Sequence, residues 1–165
     1  VGISGKGGLL LRAAKQSGDV DLGYVGQVES VQPEIVHTLT KDGFIPVISP
    51  LGLGDDGQTY NINADVAATA IARAVKADKL IFLSDIPGVL RDAKDESSLI
   101  STIQEPEIET MIAEKVISGG MIPKIRSAGA ALSDCKKIHI LDGRQPHSLL
   151  IELFTESGIG TQIIR

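Results

Sequence analysis

At 165 residues, 42% of them hydrophobic and 22% charged, the chain has the composition of a soluble globular domain large enough to bury a core. Its net charge of -5 gives no electrostatic footprint for nucleic acid or anionic lipid. No apolar run of about 18 residues and no signal-like segment points to a membrane or to export, so a cytoplasmic location is expected. The single Cys135 cannot make an internal disulfide, and aromatics are only 3%, so the core must come from Ile, Leu, Val and Ala.

The chain opens at Val1-Gly2-Ile3, which reads as the end of a strand and as a start partway through a larger protein. A glycine-rich loop follows at residues 2–8, then strands at 9–14 and 24–31. Pro33 and Glu34 open a helix with Ile35, Val36 and Leu39 on its apolar face and Gly43 as its stop. Residues 44–49 form an apolar run that predicts a buried strand, with Pro46 as a blemish. Gly54-Asp55-Asp56-Gly57 is a turn, and the Ala-rich stretch 66–76 predicts a helix.

Residues 79–84 are the clearest buried strand, with a loop at 85–89 and a polar, exposed stretch at 91–98. A helix is predicted over 105–115, with Pro106 near its start. A second glycine loop, 118–124, leads into a helix ending near Cys135. Residues 137–141 are a strand, 146–154 a helix, 158–161 a turn and 162–164 a last strand. Strands alternating with helices predict an α/β fold with a mainly parallel sheet and helices on both faces. Ligands in such folds sit at the carboxyl ends of strands, which points to the loops after Ser49, Ser84 and Leu141.

No familiar phosphate motif is present: neither glycine loop fits Gly-x-x-x-x-Gly-Lys-Ser/Thr or Gly-x-Gly-x-x-Gly. There is no zinc spacing and no Gly-x-Ser-x-Gly elbow. Asn61, Asn63 and Asp65 precede a helix, where they could face an anion or small substrate, or simply cap the helix. Lys124 at a helix start opposes the helix dipole, which a phosphate would compensate; it could equally be a surface lysine. Ser84 and Asp85 could meet a ribose or phosphate, or initiate the Pro87-Gly88 turn. His139 lies in a strand, and Glu152 in an apolar helix either faces water or pairs with a cation.

Taken in order, several segments resemble the signatures of the acetylglutamate kinases. They are Tyr60-Asn61-Ile62-Asn63-Ala64-Asp65, Leu83-Ser84-Asp85-Ile86-Pro87-Gly88-Val89-Leu90 and Ser118-Gly119-Gly120-Met121-Ile122-Pro123-Lys124. His139-Ile140-Leu141-Asp142-Gly143-Arg144, Glu152-Leu153-Phe154-Thr155 and Gly158-Ile159-Gly160-Thr161 continue the series. Gly23-Tyr24-Val25-Gly26 and Phe44-Ile45-Pro46-Val47-Ile48 match as well, so the resemblance spans nearly the whole chain. It implies the amino-acid kinase fold, an αβα sandwich like that of carbamate kinase with no Walker loop, here as one domain over 1–165 with the N-terminal half absent.

The resemblance further implies transfer of the γ-phosphoryl of ATP, with Mg²⁺ held mainly through the phosphates, to the side-chain carboxylate of N-acetyl-L-glutamate. Lys124 would stabilise the transferring phosphoryl, Asp65 would orient catalytic lysines, and Asn61, with Asn63, would hold the substrate. Ser84, Asp85, Ile86, Pro87, Gly88, Val89, Val116, Ile117 and Ser118 would line the nucleotide site. His139, Glu152 and Gly158 fall where arginine-inhibited members bind arginine. A homo-oligomer and a nitrogen-signalling partner protein are implied for the full-length form, with neither nucleic acid nor membrane as partner. The 165-residue piece alone is expected to bind nucleotide weakly and not to turn over. Alternatives are a kinase of the same fold acting on aspartate, glutamate, aminoadipate, carbamate or UMP, and a non-catalytic arginine-sensing module.

Overall fold

The computed structural model describes residues 1–155 and 158–165, and the chain divides into two compact units, Val1–Lys76 and Ala77–Arg165. In the first unit, β1 (Gly2–Ser4) pairs in parallel with β4 (Val47–Ser49). The strands β2 (Leu11–Lys15), β3 (Val25–Val31), β5 (Leu51–Leu53) and β6 (Thr59–Ile62) close into a small barrel. Closure removes the unpaired edges that a four-stranded sheet of short strands would expose. The helices α1 (Glu34–Lys41) and α2 (Ala64–Ala74) complete the unit. Its core joins Leu10, Leu11, Ala13, Val36, Tyr60, Ile62 and Ala67 from barrel and helices.

Two expectations change here. The predicted buried strand over 44–49 is a strand only at Val47–Ser49, and Phe44, Ile45 and Val47 are exposed. The apolar run was read as burial on both faces, but within this unit β4 has a single partner strand. The strand β5 went unread because it is three residues long, directly after Pro50. It pairs with β6 across the predicted 54–57 turn.

In the second unit, β7 (Lys79–Ser84), β8 (Thr102–Gln104), β9 (Lys137–Asp142) and β10 (Thr161–Ile164) form a sheet in the order β7-β9-β10-β8. β7 is parallel to β9 and β8 to β10, while β10 runs antiparallel to β9, so the sheet is mixed. The α/β alternation is as expected. β9 is flanked on both sides, and its residues Ile138, His139, Ile140 and Leu141 are all buried, as a central strand requires. The predicted 105–115 helix is a 3-10 turn at Glu105–Glu107 followed by α3 (Ile108–Ala113). Next come α4 (Met121–Ala131) and α5 (Ser148–Phe154). An Arg126 fork onto Glu109, at 3.0 and 2.9 Å, ties α4 to α3.

Register fixes what each face of this sheet presents. Side chains alternate along a strand, and directly paired residues share a face. Phe82, Ile140 and Thr161 therefore lie in one row on one face. Lys79 and Lys137 share the opposite face with the row His139, Gln162 and Thr102.

Candidate functional site

In the first unit the sequence turns from strand to helix within three residues. β6 ends at Ile62, and Asn63 caps α2: its Oδ1 accepts the Asp65 N–H at 2.9 Å and the Val66 N–H at 3.2 Å. The capping expectation for Asn63 thus holds, and it leaves only the side-chain NH₂ for any other partner. Asn61 and Asn63 are exposed and Asp65 is half-buried. Lys124 belongs to the second unit.

Lys124 is in the first turns of α4, following Pro123, whose missing N–H falls where a helix leaves N–H groups unpaired. Its ammonium lies 5.3 Å from the centroid of the buried Phe82 ring. The charge is thereby held over the Phe82 face of the sheet by a cation–π contact. A cleft of about 200 Å³ is lined by Ile86, Gly88, Val89, Val116, Ile117, Ser118 and Met121, among others. Six of the nine residues expected around a nucleotide are thus brought together. Ser84, Asp85 and Pro87 are not in its lining. The Ser84 hydroxyl instead reaches Asp85 Oδ1 at 3.4 Å, and the Ser84 carbonyl accepts the Gly143 N–H at 2.7 Å. That bond ties the loops leaving β7 and β9 at their carboxyl ends.

The opposite face carries a second cleft, of about 370 Å³. His139, Glu152 and Gly158, expected together, all line it. The His139 Nδ1–H donates to Glu152 Oε1 at 2.6 Å, and Glu152 Oε2 accepts the Ile159 N–H at 2.8 Å. His139 Nε2 is buried and has no hydrogen-bond partner among the described residues. Burial pushes the Glu152 carboxyl up, but the Ile159 N–H, His139 and the Gly160 N–H together hold it below its usual value of 4.5. It is therefore an anion at neutral pH despite a side chain only 7% exposed. Gly158 has a left-handed backbone (φ 58°), and a Cβ there would lie 2.7 Å from Glu152 Oε2.

Lys79 and Lys137, not singled out in the sequence, line the same cleft and are direct cross-strand partners. Like charges so placed disfavour each other, and an anion near them would relieve the pair. The available signal was the two-residue step from Lys137 to His139 in a strand, which sets both on one face. Ser101, Thr102, Thr155 and Gln162 add polar groups to the lining. The cleft thus combines positive charge, a buried carboxylate, and hydroxyl and amide groups.

Among the described residues, no helix is long and apolar enough to cross a membrane. The sequence profile of the amino acid kinase family matches residues 1–142. An acetylglutamate kinase of Desulfitobacterium hafniense is 55% identical over 98% of this chain, which covers 58% of that protein. One from Archaeoglobus fulgidus is 51% identical over 99% of the chain and 60% of its own length. The chain therefore spans about three fifths of the curated relatives it matches. Among solved structures, N-acetylglutamate synthase from Neisseria gonorrhoeae, complexed with coenzyme A and L-arginine, superposes with a TM-score of 0.85 at 30% identity. That match covers 98% of this chain and 37% of the synthase. A carbamate kinase from Giardia lamblia, at TM-score 0.65 and 19% identity over 86% of this chain and 52% of its own, shares the fold.

Proposed function

The chain belongs to the amino acid kinase family, and from that premise we propose that it is part of an acetylglutamate kinase regulated by arginine. The reading is supported by one arrangement above all: a lysine charge and a lined cleft on one face of the second-unit sheet, and a polar, charged cleft on the other. The identity to acetylglutamate kinases over nearly the whole chain supports N-acetyl-L-glutamate as the acceptor in this reading.

In this reading a carboxylate oxygen of N-acetyl-L-glutamate attacks the γ-phosphorus of ATP. The bond to the ADP oxygen breaks, and an acyl phosphate forms. Little covalent help is needed; positioning and positive charge around the phosphoryl oxygens do most of the work. Lys124 supplies such charge. The cleft at Gly88, Val89 and Ile117 receives the nucleotide, with Mg²⁺ arriving on its phosphates. Asn61 and the side-chain NH₂ of Asn63 hold the substrate at the start of α2, and Asp65 supplies an orienting carboxylate there.

Arginine fits the chemistry of the second cleft. Its guanidinium would meet the remaining lone pairs of Glu152, a geometry suited to a forked donor. Its carboxylate would sit toward Lys79 and Lys137, and His139 Nε2, without a partner among the described residues, would suit a polar ligand. Homo-oligomerisation and docking of a nitrogen-signalling protein belong to the same proposal, as does the expectation that the 165-residue piece alone does not turn over.

The test is ADP release by the complete gene product with ATP, Mg²⁺ and N-acetyl-L-glutamate, run beside glutamate, aspartate and aminoadipate. Release with acetylglutamate only is expected. Release with another acceptor would overturn the substrate and keep the kinase. A folded protein inactive with all four, yet binding arginine, would favour the alternative of a sensing module.

A further inference from the structure

The segment from Gly158 to Gln162 contacts residues of both clefts described above. Gly158, Gly160 and Gln162 line the His139–Glu152 cleft, and the Ile159 N–H is held by Glu152 Oε2 at 2.8 Å. Between them Thr161 points the other way, as strand alternation demands. It is fully buried. Its hydroxyl accepts the Val89 N–H at 2.8 Å and donates to the Ile100 carbonyl at 2.7 Å. Val89 is a lining residue of the opposite cleft, and so is Gly88.

There is no slack in this contact. Gly88 has φ 152°, and a Cβ on it would lie 2.6 Å from Thr161 Oγ1 and 2.9 Å from Leu99 Cδ1. The loop after β7 therefore rests directly on Thr161. On its other side, Thr161 is paired with Ile140, and the next residue, Gln162, with His139. Gln162 also donates its side-chain amide to Thr102 at 2.9 Å and its N–H to the Ser101 carbonyl at 2.9 Å. From Glu152 Oε2 to the Val89 N–H the route is three consecutive residues, Ile159, Gly160 and Thr161, with a hydrogen bond at each end.

We propose that Thr161 is a positioning residue that sets the Gly88–Val89 loop and couples occupancy of the His139–Glu152 cleft to nucleotide affinity. A ligand engaging Glu152 and Gln162 loads β10 directly, and the hydroxyl of Thr161 passes the displacement to the loop. This rests on the reading of the two clefts as effector and nucleotide sites. Because coupling between two binding sites is reciprocal, nucleotide alters affinity for the effector by the same factor.

The test uses the complete gene product, with AMP-PNP and Mg²⁺ as the nucleotide probe and L-arginine as the effector probe. Calorimetry measures AMP-PNP affinity with and without saturating arginine, and arginine affinity separately. In the unaltered protein arginine should shift AMP-PNP affinity by about five-fold or more. Thr161→Val, which keeps the shape but removes the hydroxyl, should bring that ratio to about one and weaken AMP-PNP on its own, while arginine still binds. Thr161→Ser should keep the ratio, an outcome that a purely space-filling role would not give. Thr161→Cys replaces the valine variant if the latter does not fold. A valine variant that retains the full ratio overturns the proposal. So does arginine that binds the unaltered protein without changing AMP-PNP affinity, which leaves the effector reading intact. Arginine that does not bind at all removes the effector reading and this proposal with it.

Discussion

His139 and Glu152, thirteen residues apart in sequence, meet at 2.6 Å between the central strand and α5, with side chains only 6% and 7% exposed. The contact converts an isolated carboxylate in an apolar helix into a fixed, oriented acceptor. Glu152→Ala should leave the His139 Nδ1–H and the Ile159 N–H without an acceptor, at a cost of about 2–3 kcal/mol in urea unfolding at neutral pH. It should also weaken arginine binding by at least about ten-fold, the loss of one charged hydrogen-bond partner.

The same contact sets an acid limit. Because the folded protein holds Glu152 below its usual 4.5, the unfolded chain takes up that proton first as pH falls. The contribution is full above the unfolded value and is lost as pH drops through the folded one. Stability measured by urea midpoint should therefore fall between about pH 5 and pH 3, and Glu152→Gln should flatten part of that fall. An unchanged slope in the glutamine variant would show that other carboxylates set it.

Asn63 separates structure from binding. Asn63→Ala removes the cap of α2 and should lower stability by about 1 kcal/mol. Asn63→Asp keeps an acceptor for the Asp65 and Val66 N–H groups and should preserve the melting temperature. It also loses the NH₂ donor, so the KM for acetylglutamate should rise in both variants. A KM that rises only with the alanine would confine Asn63 to capping.

The barrel tolerates no added volume at Gly52. A Cβ there would lie 2.6 Å from the Ala13 Cβ and 2.8 Å from Ile62 Cδ1. Gly52→Val should destabilise by about 1–3 kcal/mol through overpacking, seen as a lower unfolding midpoint.

Lys124→Ala should reduce kcat for acyl phosphate formation by about 10²–10³-fold, the effect expected of one lost electrostatic partner to the transferring group. The Michaelis constant for acetylglutamate should move far less. A raised KM with kcat unchanged would instead place Lys124 in binding that is uniform between ground and transition state.

Much of this was legible beforehand, and the reasons differ by residue. The bounds of the strand at Lys79–Ser84 were read to the residue from a run of Leu, Ile, Phe and Leu between a charged start and a turn, but its burial was not: β7 ends its sheet and Leu83 is exposed. The helix after Asn63 was legible from its cap and its alanines. The exposure of Ile45 was not, since an apolar run carries no information on how many neighbours it finds. Lys79 and Lys137 escaped because their pairing depends on two strands 58 residues apart being adjacent and in register. Thr161 escaped for a related reason: a buried threonine in a short strand has no local signature, and its partner Val89 is 72 residues away.

The alternation in β10 also makes the segment sensitive to phase. Inserting or deleting one residue between Gly158 and Gln162 would turn the hydroxyl of Thr161 into the Glu152 cleft and set a glycine or glutamine against Val89. Two changes of length would restore the phase. Length variation in this stretch should therefore be accepted in even steps and rejected in odd ones, which a small indel library scored for arginine-sensitive activity would read out directly.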